Sequence, residues 1–327
     1  MTDKQKTLYL HTGIHKTGTT YIQTVCAKNA AMLKQHGLLF PNHGRLADSG
    51  HHNVSYFFSA HENLCFENMP FSVQNLVDEM QTAPENKILI SSEEFSICSV
   101  DEIQVIQSAF HAFTVRPIVF LRNPFFSIYS IWQEQMKAGQ TDLAFQAFIQ
   151  QDAIMNIALH WQREVLKKWY QVFGDNMIVA VYDNLRNASQ NIVHYLLNSL
   201  LGIDIEIQKL SNIDQVLNTS LSVETAELVR TLRTAQQMNT PLTPQWLDNI
   251  ESNNHALLEK AKQARYTLKE VFSQQQMIQH HSICQDMLAQ YTHLFTNAYS
   301  EACIFHNQTD TPIFEVISED FYQQYLK

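Results

Sequence analysis

The sequence predicts an α/β fold, a parallel sheet covered by helices on both faces. Three observations carry this. Short apolar runs recur without the polar alternation of a half-exposed strand, helix-patterned segments separate them, and glycines stand where elements should stop. The first run, Thr7–Thr12 (TLYLHT), ends in a glycine-containing loop. Thr19 to His36 then reads as a helix, with Gly37 as its C-terminal stop. Lys87–Ser91 (KILIS) is the second strand. Val115–Leu121 (VRPIVFL) is the third, with Pro117 near its start, where a missing N–H is tolerated. Asn123 is placed to cap the following helix, and Pro124 fits its first turn. Ile157, Trp161, Val165, Trp169 and Phe173 recur every four residues, the mark of an amphipathic helix, which Gly174 ends. Met177–Tyr182 (MIVAVY) is the fourth strand, and Asn187–Leu201 reads as a helix stopped by Gly202.

From about Ile207 the pattern changes. Ser222–Met238, Pro244–Ala264 and Tyr266–Ala298 read as helices rich in Gln and Asn, and no strand is expected there. The organisation predicted is an α/β core over residues 1–206 and a helical extension over 207–327, a candidate for acceptor binding or oligomerisation. No internal repeat and no Gly/Ser linker is present.

Composition narrows the function classes. The chain has 327 residues, 45% hydrophobic and 17% charged, as an ordinary globular protein does. No apolar run reaches the roughly 18 residues a spanning helix needs. The N-terminal apolar stretch is interrupted at Gly13 and Lys16, so no signal peptide is expected. Cys26, Cys65, Cys98, Cys284 and Cys303 are scattered without CxxC spacing, and read as reduced thiols of a cytoplasmic protein. The formal net charge is −10, which argues against nucleic acid and against a long polyanionic acceptor. An anionic nucleotide then needs a local site built from a few basic residues.

One segment supplies such a site. His11-Thr12-Gly13-Ile14-His15-Lys16-Thr17-Gly18-Thr19-Thr20 keeps the GxxxxG spacing of a P-loop between a strand and a helix. The glycines let backbone N–H groups turn toward a phosphate, and the helix start adds its dipole. The lysine that follows the second glycine in an ATPase is here Thr19, and the basic residue is Lys16, inside the loop. A triphosphate site wants the later lysine on its β- and γ-phosphates. The displaced charge points to a different leaving group. His11 and His15 straddle a strand end across Gly13, so they form no helical zinc pair, and no metal site is expected.

His15-Lys16-Thr17-Gly18-Thr19-Thr20 resembles the 5′-phosphosulfate loop of sulfotransferases that use PAPS (3′-phosphoadenosine 5′-phosphosulfate), especially a bacterial branch with an HKTGTT core. The resemblance implies a P-loop-type three-layer sandwich with a central parallel sheet. It implies PAPS as donor, PAP as the desulfated product, and no requirement for magnesium. Gly13, His15, Lys16, Thr17, Gly18, Thr19 and Thr20 would hold the 5′ end. In that family an arginine at a strand end and a serine eight residues later hold the 3′-phosphate, and Arg122 and Ser130 match this spacing. Taken alone, Arg122 reads equally well as one half of a surface ion pair. Tyr182-Asp183 is similar to a family site where a tyrosine approaches the adenine, although a tyrosine closing the strand explains it as well. Leu159–Gly174 and Asn218-Thr219-Ser220-Leu221 also resemble family text, and the likeness covers about residues 7–225. The Arg-Lys-Gly segment of the better-known cytosolic branch is absent.

Sulfuryl transfer calls for a general base on the acceptor. Glu93, after the Lys87–Ser91 strand, stands where the resemblance places a catalytic histidine, with Glu94 beside it. His51-His52, after Gly50, is the other source, and His52 is the second choice. A carboxylate in this role is expected to need a pKa raised by burial. Lys16 would stabilise the leaving oxygen. The expected function is transfer of a sulfuryl group from PAPS to a hydroxyl or amine of a small molecule, saccharide or lipid. The alternatives are a P-loop kinase or NTPase, and a non-catalytic interaction protein on a degenerate P-loop scaffold. Acceptor contacts are expected from the 40–68 loop and from Trp132–Met136, with Tyr56, Phe57, Phe58, Phe66 and Trp132 as candidate stacking groups.

Overall fold

The structure, a computed structural model, describes residues 5–46, 49–59, 71–213, 221–236, 242–261, 265–267, 273–297 and 315–317. The Asn218–Ser220 match and Phe66 lie outside the described residues.

Packing divides the chain into two compact units, residues 1–122, 162–217 and 288–303 in one, and 123–161, 218–287 and 304–327 in the other. This division differs from the sequential cut after residue 206, which marks only where strand-patterned sequence stops.

The first unit holds a five-stranded sheet of β1 (Thr7–His11), β2 (Leu38–Leu39), β3 (Lys87–Ser91), β4 (Thr114–Leu121) and β5 (Ile178–Val181). Its order is β2-β3-β1-β4-β5, and every pairing is parallel. The short apolar runs form this sheet because each strand is buried on both faces: β3, β4 and β5 carry almost unbroken buried positions. Parallel neighbours need crossover connections, and helices supply them. Among them are α1 (Thr19–Lys28), α2 (Ala30–Gln35), α3 (His52–Phe58), α4 (Val73–Thr82) and α5 (Val100–Ala109). Ile22, Val25 and Cys26 of α1 pack with Leu89, Ile118 and Phe120 of the sheet in one buried cluster. With β1 central, the chain winds first to one side and then to the other. Ligands of such sheets bind at the strands' carboxyl ends near that reversal.

The helix expected over Thr19–His36 is two helices, α1 and α2. Asn29 interrupts it: its amide donates to Val25 O at 2.7 Å and Ser211 O at 3.0 Å, and its Oδ1 accepts from Ser211 N–H at 2.9 Å. The Asn187–Leu201 helix is also corrected. Asn187 closes a short helix that begins at Tyr182, and Ser189 turns the chain at φ 51°. Asn191 then caps Ile192–His194, and a π-helical turn follows over Tyr195–Leu200. β5 is extended by a parallel bridge between Val179 and Phe295, and the Asn297 amide pairs with both the N–H and the C=O of Val181. Phe295 thus lies in a bridge, outside the helix expected over Tyr266–Ala298.

The second unit contains α6 (Pro124–Ala138) and α7 (Phe145–Ile149), with helices Val223–Gln236, Pro244–Asn253, His255–Ala261 and Gln274–Tyr291 from the C-terminal part, the last running on into residues of the first unit. Its core joins Trp132, Phe145, Phe148 and Val229. Trp132 is fully buried and its indole N–H donates to Leu143 O at 2.9 Å, so it packs the core of this unit. The expected absence of strands here does not hold: Arg265–Thr267 pairs antiparallel with Glu315–Ile317. A pairing between segments so distant in sequence leaves no local pattern. α8 (Asp152–Phe173) has residues in both units. Its apolar spacing of four drifts about 40° per repeat on a 3.6-residue helix. Accordingly Val165 and Trp169 are fully buried while Ile157 is 42% exposed. No helix among the described residues is long and apolar enough to cross a membrane.

Candidate active site

The site residues of the first unit gather where β1, β3, β4 and β5 end. β1 passes into the loop through Thr12, whose N–H donates to Ile118 O at 3.0 Å. Gly13 is a glycine for lack of space: a Cβ there would lie 2.5 Å from Thr19 Cγ2. Lys16 and Gly18 both take the left-handed conformation, at φ 70° and 77°. Glycine does so freely, whereas for lysine it costs on the order of 1 kcal/mol. Arg122 supports the strained residue, donating from Nη1 to Lys16 O at 2.7 Å. Thr17 Oγ1 donates to Ile14 O at 2.6 Å and braces the turn from inside. Gly18 caps α1, whose first turn holds no acidic residue, so the helix dipole faces the loop uncompensated. Thr19 is buried, Thr20 is exposed, and His15 and Lys16 are half-buried. Glycine spacing, two left-handed residues and a helix N-terminus together fit an anionic phosphate group.

Arg122, at the end of β4, is 9% exposed. Its guanidinium lies over the Tyr182 ring at 5.6 Å, and Tyr182 also reaches Gly18. Burial draws the Arg122 pKa below the usual arginine range, opposed by the charge of Asp183. Gln162 of α8 fixes the backbone beneath it: Oε1 accepts from Arg122 N–H at 3.1 Å and Nε2 donates to Arg122 O at 2.5 Å. This side-chain amide continues the β4 hydrogen-bond ladder by one rung. Lys16, Gly18, Arg122 and Tyr182 are thus brought together. Tyr182 opens a helix after β5 rather than closing that strand. Ser130 belongs to the second unit, on α6, where its Oγ donates to Phe126 O at 2.9 Å.

A second cluster forms beyond β3. Glu93 and Glu94 open a 3₁₀ turn, Glu93–Ile97, capped by Ser92 Oγ. Glu93 Oε2 accepts from Gln23 Nε2 at 2.7 Å and lies 4.0 Å from His52 Nε2. His52 Nδ1 is 3.0 Å from Ser92 Oγ, which is 2.9 Å from Ser55 Oγ. The rings of His52 and Tyr56, one turn apart on α3, stack at 6.2 Å. Burial pushes the Glu93 carboxyl up, but His52, its own backbone N–H, the Gln23 amide and His15 outweigh it and hold the pKa below the usual carboxylate range. This corrects the expectation of a raised value: the group is buried among donors. The Tyr56 hydroxyl is pushed up to about 12 by burial and by Glu94 and Glu93.

His51 differs from its neighbour. It is fully buried, its Nδ1 accepts from Ser91 N–H at 3.2 Å, and its Nε2 faces Pro41 O at 3.0 Å. Those partners fix the tautomer with hydrogen on Nε2. Burial lowers its pKa to about 3. Neutral, with both ring nitrogens engaged, His51 is structural, which removes it from the candidate bases. His11 is likewise buried, with Nδ1 2.8 Å from Ser91 Oγ, and burial lowers it to about 4 against the pull of Glu93.

Sequence reasoning missed Gln23, Gly50, Ser92 and Gln162. Gln23 sits one turn after Thr19 on the buried face of α1, and only its contact with Glu93 gives it meaning. Gly50 preceded the noted histidine pair. A Cβ on it would lie 2.5 Å from Gln23 Cδ and 2.6 Å from Ser91 O, so only glycine lets the chain pass here. Nothing local distinguishes Gln162 from the other polar residues of its helix.

Fold and site define an α/β protein whose central strand, β1, runs through a glycine-bearing loop into α1. No protein-family model and no curated protein matches the chain. Among solved structures it is similar to a sulfotransferase from Alicyclobacillus acidocaldarius, with 14% identity over 73% of this chain and 97% of that one and a TM-score of 0.42. It is also similar to the sulfotransferase domain from the curacin biosynthetic pathway, with 14% identity over 77% and 97% and a TM-score of 0.38.

Proposed function

We propose that the protein transfers a sulfuryl group from PAPS to a hydroxyl or amine of a small molecule, a saccharide or a lipid head group. The observation that carries this reading is the position of the loop's cation. Lys16 lies inside the turn, braced by Arg122, and Thr19 follows the second glycine in place of the NTPase lysine. The acceptor oxygen or nitrogen attacks sulfur in line, forming the new bond as the bond from sulfur to the bridging oxygen breaks. The electron pair leaves on the 5′-phosphate of PAP. Lys16, the loop N–H groups and the start of α1 meet that charge. Arg122 is proposed to hold the 3′-phosphate, with Ser130 assigned to the same task from its spacing alone. Tyr182 is the candidate adenine contact.

Glu93 is proposed as the base, with His52 as the alternative. A carboxylate of low pKa is ionised at neutral pH and ready to receive a proton. It is a weak base toward a free hydroxyl, so the proton moves late, after bonding to sulfur has made the acceptor acidic. Every residue named in this chemistry lies in residues 1–206. Residues 207–327 are proposed to serve acceptor binding or self-association. The cytoplasm is the proposed location, and neither nucleic acid nor a long polyanion is a proposed partner, given the net charge of −10.

The test is a screen for labelled products from sulfur-labelled PAPS across phenols, amines, sugars and a heparin-like polymer. A sulfated small acceptor supports the reading. Robust sulfation of the polymer at low salt contradicts the acceptor class, and phosphorylated products from ATP and magnesium contradict the donor.

A further inference from the structure

We infer that Gln23 is a positioning residue for the transfer: its amide fixes one oxygen of Glu93 and leaves the other to receive the acceptor proton. The inference rests on the reading of Glu93 as the base. Gln23 Nε2 donates to Oε2 at 2.7 Å, and the closest approach of His52 to Glu93, 4.0 Å, is to that same oxygen. Both contacts are to Oε2, and the proposal assigns the acceptor proton to Oε1.

The amide is held in turn. Gln23 is 1% exposed, and Gly50 passes so close that even a methyl group would collide with the Gln23 side chain, 2.5 Å from Cδ and 2.6 Å from Nε2. Gln23 also lies one turn after Thr19 on α1, the helix whose N-terminus closes the phosphate loop. One short helix therefore sets both the loop and the orientation of the base, so donor and proton acceptor keep a fixed relation. The electrostatics agree, since the Gln23 hydrogen bond is among the influences that hold Glu93 ionised. The others facing the carboxylate are His52 from α3, His15 from the loop and its own backbone N–H, while His11 and Tyr56 feel its charge.

The experiment follows release of PAP from PAPS with water as acceptor, in full-length wild type, Gln23→Met, Gln23→Asn, Glu93→Gln and the double variant Gln23→Met/Glu93→Gln. PAP affinity and thermal midpoint are measured on each. Losing the donor raises the Glu93 pKa, so a higher pH is needed to ionise it. Gln23→Met should move the acid limb of the kcat profile to higher pH and lower kcat about 10-fold, with PAP affinity kept within about 2-fold. Gln23→Asn, which withdraws the amide by one methylene, should show the same shift and serves if the methionine variant does not fold. The double variant should be no slower than Glu93→Gln, because Gln23 acts through Glu93. Wild-type rate and acid limb in both Gln23 variants, with Glu93→Gln impaired, would overturn the inference and leave the base standing. A Glu93→Gln variant as fast as wild type would instead sink the reading of the base.

Discussion

The phosphate loop and the acid–histidine cluster stand at the ends of neighbouring strands, yet they are built in opposite ways. The loop is one continuous segment, Gly13 to Thr20, shaped by backbone: two left-handed residues, a glycine with no room for a methyl group, and a helix start. The cluster is assembled by side chains from three separated segments, with Gln23, Gly50–His52 and Ser91–Glu93 meeting only in the fold. The loop offers Lys16 and a helix start, which the proposed function assigns to a leaving phosphate. The cluster offers carboxylates and histidines, suited to a proton. Local chain geometry is enough to receive a charge that any phosphate brings, whereas proton transfer requires particular atoms, and those come from distant sequence.

The sharpest way to break this division is to remove the proton acceptor. Glu93→Gln should lower turnover roughly 100- to 10,000-fold while PAP affinity is retained. The comparison fails if turnover is near normal, and a large loss in His52→Ala alone moves the role to His52. Lys16→Ala tests the other half. It should reduce kcat on the order of 100-fold and donor affinity much less, because the leaving oxygen gains its full charge only in the transition state. Equal losses in both would make Lys16 a binding charge only. Steady-state kinetics with PAP inhibition reads both variants.

The same contrast explains what the sequence disclosed. Strands such as Lys87–Ser91 were legible because burial on both faces makes an unbroken apolar run. The loop was legible because its spacing is local. Arg122 was found through its place at a strand end, but its hold on the Lys16 carbonyl was not, since 106 residues separate the two. Of the cluster, Glu93 and the histidine pair were visible as chemistry-bearing residues, whereas Gln23 and Gly50 acquire meaning only from what they touch. His52 was preferred to the adjacent His51 with no local reason, and the fold supplies one by burying His51 and setting His52 beside Glu93. The Arg265–Thr267 ribbon was missed for the same reason, its partner lying far along the chain.

Smaller effects sharpen the comparison through stability. Gly13→Ala presses a methyl group against Thr19 and should cost about 1–3 kcal/mol in denaturant unfolding, with PAP binding weakened. The cluster should show itself in acid. His11 and His51 have folded pKa values near 4 and 3 against an ordinary 6.5, so the unfolded chain binds more protons between those limits. Stability is then greatest above about pH 6.5 and falls as pH drops toward 4. Glu93, with a depressed folded pKa, adds a further loss once pH falls through the carboxylate range. Urea midpoints from pH 7 to pH 4.5 should decline steadily, and His51→Gln should flatten the slope. An unchanged slope would contradict the neutral, buried state assigned to His51.

The account's central claim is that the loop and Arg122 serve a nucleotide with a 3′-phosphate, not a triphosphate with magnesium. Thermal shift measures this without knowledge of the acceptor, because a ligand that binds only the folded state raises its melting temperature. PAP should give the largest shift, ahead of 5′-AMP, ADP and ATP with or without magnesium. Arg122→Ala should remove most of the difference between PAP and AMP, on the order of 100-fold in affinity, and Ser130→Ala less of it. A larger shift with ATP and magnesium than with PAP would contradict the claim and put a kinase-type site in its place.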